Sequence, residues 1–95
     1  MDGGDLAQSI QQRCRSWFAS NYGDKLDWSI SLLFTELSLV AVHLNADSKS
    51  GQATSKKDFQ LRAGIMTSIE ETIKKHPFLE RQLRSDLDRL WEIYR

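Results

Sequence analysis

Cys14, His43, His76, Glu36 and Arg62 are the side chains whose chemistry bears most on what this 95-residue sequence does. A thiol attacks only as a thiolate. Cys14 falls in the middle of an apolar stripe with Leu6, Ala7, Ile10, Trp17 and Phe18, where it behaves as a small hydrophobe of raised pKa. Zinc-type sites draw their ligands from close helical or turn spacings. His43 and His76 stand far apart in the chain, and Glu36 lies two turns from His43, about 10 Å along a helix. There is no glycine-rich phosphate loop, no nucleophile elbow and no pair of carboxylates in apolar surroundings. The expectation is a non-enzymatic protein with no cofactor and no resident metal.

Arg62 fits its surroundings worst. It falls among Phe59, Ile65, Met66 and Ile69, where an unpaired guanidinium costs on the order of several kcal/mol if buried. Two readings follow. Either Asp58, one turn earlier, pairs with it while its stem lies along the apolar arc, or the stripe faces a partner chain that supplies an acid. Near the chain end Trp91 and Tyr94 add aromatic bulk of the kind that anchors interfaces, while Trp17 and Trp28 are expected in the core. Arg62, Met66, Trp91 and Tyr94 together outline a candidate interaction seam.

Thirteen basic and thirteen acidic residues cancel, so no general field draws nucleic acid or anionic lipid. The first half, through Asp47, carries about −3 and the second about +3. Helices attracting one another across a bundle account for that split. A small DNA-binding regulator using the basic C-terminal half is the alternative, although the arginines of the last segment alternate with acids. A single cysteine and a start lacking a basic and an apolar region suggest a reducing, cytoplasmic setting. The segment from Trp28 to Leu44 includes Glu36, His43 and several Ser/Thr residues, so it reads as a buried helix and not as a membrane span.

The elements that must position these groups follow from periodicity and capping. Asp5 with Gln8 forms a capping pattern for a first helix over 5–21, and Gly23 suits its C-terminal stop. A second helix over 25–44, capped by Asp24 or Asp27, is apolar on two sides. Its main face holds Ile30, Leu33, Phe34, Leu37, Val40, Ala41 and Leu44, and a narrower stripe holds Trp28, Leu32 and Leu39. A helix of that kind belongs between neighbours. The polar run 45–55 predicts a mobile loop. Ser55 with Asp58 opens a third helix over 56–76, whose arc holds Phe59, Leu61, Ile65, Met66, Ile69 and Ile73. Pro77 breaks it and starts a fourth, 77–95, lined by Leu79, Leu83, Leu87, Leu90, Trp91 and Tyr94.

These elements predict one all-α domain over residues 1–95, a compact four-helix bundle with antiparallel hairpins at its short connections. The expected function is protein–protein interaction, as an adaptor, inhibitor or assembly subunit, with another protein or with itself as a homodimer. Neither nucleic acid nor a membrane is the expected partner.

Overall fold

The chain is described by a computed structural model covering residues 3–23, 25, 27–50 and 56–94. Asp27 sets the start of the longest helix: the Ile30 N–H donates to its Oδ1 at 3.1 Å, the bond an N-cap carboxylate makes. Four helices occur among the described residues, with no strand: α1 (Gly3–Tyr22), α2 (Trp28–Ser50), α3 (Lys56–Lys74) and α4 (Pro77–Tyr94). Asp5 is not the cap of α1 but lies inside its first turn, where a carboxylate favours the helix dipole. Gly23, at φ 61°, closes α1 by donating its N–H to the Ala19 carbonyl at 3.1 Å. Between α3 and α4 the chain tightens, with His76 N–H on the Ile73 carbonyl at 2.9 Å. Pro77 then opens α4, and the Glu80 N–H reaches the His76 carbonyl at 3.0 Å.

Both ends of α2 differ from expectation: it starts at Trp28 and not at 25, because Asp27 is its N-cap, and it runs past 44. The loop anticipated over 45–55 is helical through Ser50, which lengthens α2 by more than a turn; residues 51–55 lie outside the described residues. No glycine or proline occurs between Asn45 and Ser50, so a helix already nucleated by its buried face continues through weakly disposed residues.

Polar contacts fix the arrangement of the four rods. Gln11 Nε2 of α1 donates to the Phe34 carbonyl at 2.7 Å and to Ser38 Oγ at 2.6 Å on α2. Ser68 Oγ of α3 donates to Glu36 Oε1 of α2 at 3.0 Å. Arg84 of α4 meets Glu70 of α3 at 2.6 Å, and Arg13 of α1 meets Asp86 of α4 at 2.5 Å. The helices therefore run up, down, up, down in a closed ring, each beside its neighbours in sequence and α4 against α1. The core is the common interior of that ring: Leu6, Ile10 and Phe18, then Leu33, Leu37 and Val40, then Ile69 and Ile73, then Leu79, Leu83 and Leu87. Cys14 is buried among them.

Candidate functional site

The seam of α3 and α4 brings the four expected contact residues together. Arg62, Met66, Trp91 and Tyr94 line one cleft with Phe59 and Ala63, too narrow to admit a water molecule. Met66 and Tyr94 are buried within the chain and Arg62 is 9% exposed, so three of the four face inward. The Arg62 guanidinium lies over the Tyr94 ring, 4.9 Å from its centroid, a cation–π contact in desolvated surroundings. The Asp58 side chain, expected to pair with Arg62, lies outside the described residues. The Tyr94 hydroxyl meets His43 Nδ1 of α2 at 2.6 Å. Trp91 packs half-buried against the core, and its ring N–H donates to Glu70 Oε1 at 2.5 Å. Arg84 also reaches Glu70, which raises the guanidinium further above its ordinary range and braces α3 to α4.

The cysteine is fully buried and the second histidine half-buried. Burial pushes the Cys14 thiol up to about 12, with Arg13 opposing, so at neutral pH it stays a thiol. His76 stands among Trp17, Phe18 and Tyr22, with ring centroids 5.4, 5.0 and 5.7 Å away and Nδ1 3.3 Å from the Tyr22 hydroxyl. Burial pulls its pKa below the ordinary value, Asp27 opposing and Lys75 adding to the fall. Among the described residues no group of three His, Cys, Asp or Glu side chains is placed to hold a metal ion. Arg84 of α4 sits among acids, bonded by Glu70, Glu80 and Asp88.

The longest line of exposed apolar side chains among the described residues is on α2. Trp28, expected in the core, is 76% exposed, and Val42 is 62% exposed. The neighbours α1 and α3 cover only the inner face of α2, through Ile30, Leu33, Leu37, Val40 and Leu44. Among the described residues, no helix therefore lies over the second stripe. It reads Trp28, Leu32, Thr35, Leu39, Val42 and Ala46, recurring at alternating steps of four and three. Leu32 is half-buried and the other five are exposed. Such spacing is the seam of a two-stranded coiled coil. Its flanks are almost uncharged, with Ser31, Ser38 and Asn45 on one edge and Ser29, Glu36 and His43 on the other.

Leu61 and Phe59, expected to pack inside the α3 arc, are 57% and 46% exposed. The Ser68–Glu36 bond sets the α2–α3 register, which places Leu61, two turns before Ser68, level with His43. By contrast the outward residues of the other helices are polar: Gln12 and Arg15 on α1, Thr67 and Glu71 on α3, Arg81, Ser85 and Arg89 on α4. Phe78 and Ile93 are exposed singly on α4.

Two signals for this surface were present in the sequence. The stripe of Trp28, Leu32 and Leu39 is visible there, but a helix apolar on two sides was expected to sit between neighbours. The same two-sidedness gives Trp28–Ala46 the length and mean hydropathy, 1.4, of a membrane-crossing helix, contrary to the expectation that it is too polar. A core helix of a bundle passes the same test, and a third of that window is buried here. No protein-family model, curated protein or solved structure matches this chain.

Proposed function

We propose that this protein works by contact: it is a small non-enzymatic helical module that docks through the outer face of α2. The observation that carries this reading is the exposure of Trp28, Leu39 and Val42 in register on one side of a helix whose other side is core. Large contiguous apolar patches on a soluble domain mark interaction surfaces. The seam of Arg62, Met66, Trp91 and Tyr94 takes a different part in it. Those residues brace α3 and α4 against the C-terminal half of α2, so they hold the docking helix rigid and leave its outer face free. A cytoplasmic setting accompanies this reading, supported by a lone cysteine that is a buried free thiol.

Capture with an immobilised copy tests it. The wild-type chain retains a partner, either another protein or an untagged copy, and Leu39→Lys loses it while circular dichroism stays unchanged. Equal capture by Leu39→Lys, or no capture by either, overturns the reading.

A further inference from the structure

The α2 stripe is not only apolar; it complements itself. Placed antiparallel against a second α2 about a two-fold axis near Leu37, Trp28 falls opposite Ala46, Leu32 opposite Val42, and Thr35 opposite Leu39. Each layer then joins a larger side chain to a smaller one, and the largest residue of the stripe meets the smallest at both ends. A parallel pairing would stack Trp28 on Trp28 at one end, Ala46 on Ala46 at the other and leave two threonines in the middle. Interdigitation of large with small is what a close-packed seam requires.

Resting on the reading of α2 as the docking face, we propose that the occupant of this face is a second copy of the chain, joined α2 to α2 in antiparallel register. A two-fold interface uses the same patch on both subunits, so it needs a surface that fits itself, and this one does. The scarcity of charge on its flanks agrees, since a charged partner or an anionic membrane would be met by a basic rim. Glu36 is the charged residue closest to the axis; its carboxylate accepts the Ser68 Oγ–H at 3.0 Å and is held toward α3. The stripe is about 27 Å long at the helical rise. A contact along one helix face of that length is a small interface, and area alone does not set affinity, so association is sought across the micromolar range.

Crosslinking between single-cysteine variants tests both the partner and the direction. Ser31→Cys and Asn45→Cys border the seam without entering it, and they approach each other across the axis in the antiparallel register. The native Cys14 is buried and stays unlabelled. A short bismaleimide is expected to join the two variants when mixed and to leave each variant alone largely uncrosslinked. Glu36→Gln, which keeps the acceptor for Ser68, is expected to tighten association about twofold by removing like charges near the axis. Crosslinking of each variant with itself, or none in the mixture, overturns the proposal. So does a wild-type chain that stays monomeric and floats with neutral phosphatidylcholine vesicles. If the mixture fails while Leu39→Lys still loses capture of a different protein, the dimer is wrong and the docking face stands.

Discussion

The Tyr94 hydroxyl lies 2.6 Å from His43 Nδ1, which ties the last turn of α4 to the C-terminal half of α2, while the Arg62 guanidinium of α3 lies over the Tyr94 ring, 4.9 Å from its centroid. One buried side chain thus links three helices. Tyr94→Phe keeps the ring and the Arg62 contact and removes only the hydroxyl, so it should cost about 1 kcal/mol in urea unfolding. Tyr94→Ala leaves a cavity as well and should cost about 3–5 kcal/mol. Equal losses for the two variants would show that the hydroxyl contact, not the packed ring, holds the end of α4.

Two glycines should respond in opposite directions to alanine. Gly64 lies in the exposed interior of α3 with open space around it, so Gly64→Ala should stabilise by roughly 1 kcal/mol. Gly23 has φ 61° at the end of α1, where a Cβ is strained, so Gly23→Ala should destabilise by about 1 kcal/mol. Thermal melts of the two variants beside the wild type check both signs.

His76 and Glu36 should act on stability at different pH. The folded pKa of His76 is below its unfolded value of 6.5, so its contribution is present above that pH and is lost as pH falls through the folded value. Stability measured from pH 7.5 to 5.5 should fall for the wild type and less for His76→Phe. Glu36 has the opposite sign. Its folded pKa lies above 4.5 because burial disfavours the carboxylate, so its contribution is present below 4.5 and is lost as pH rises through the folded value. Glu36→Gln should therefore stabilise the monomer at pH 7 and lose that advantage in acid.

Trp28 should report directly on the outer face. It is the most exposed of the three tryptophans, with Trp17 and Trp91 half-buried against the core. In dilute solution Trp28→Phe should remove the red-shifted, acrylamide-quenchable part of the emission. Trp28→Ser should leave monomer stability within about 0.5 kcal/mol, whereas Leu37→Ala, in the core face of the same helix, should cost about 2–5 kcal/mol.

The rods and their inner faces were legible in the sequence because burial leaves a period. Ile30, Leu33, Leu37, Val40 and Leu44, and Leu79, Leu83, Leu87 and Leu90, repeat every three or four positions, and all are buried. Gly23 and Pro77 marked ends correctly because capping and proline act locally, and Asp27, one of the two caps considered for α2, opens it at Trp28, three residues later than expected. The end of α2 was not legible, since residues 45–50 favour neither state and the rest of the helix decides for them. Nor was the side on which Trp28 would lie. Periodicity shows that a helix has two apolar faces, but which of them this chain covers depends on the ring order of the bundle, a property of all four helices together. Arg62 was recognisable as a misfit, yet its place over Tyr94 joins residues 32 positions apart in sequence and leaves no local trace.

Molar mass as a function of concentration, for the wild type and for Leu39→Lys, tests most directly whether the outer face of α2 pairs with a second copy of the chain. The predicted result is a wild-type mass rising from 11.0 kDa toward twice that value across the micromolar range, with Leu39→Lys remaining at 11.0 kDa and equally helical. A wild-type chain at 11.0 kDa throughout, or a Leu39→Lys chain that associates as the wild type does, would contradict it.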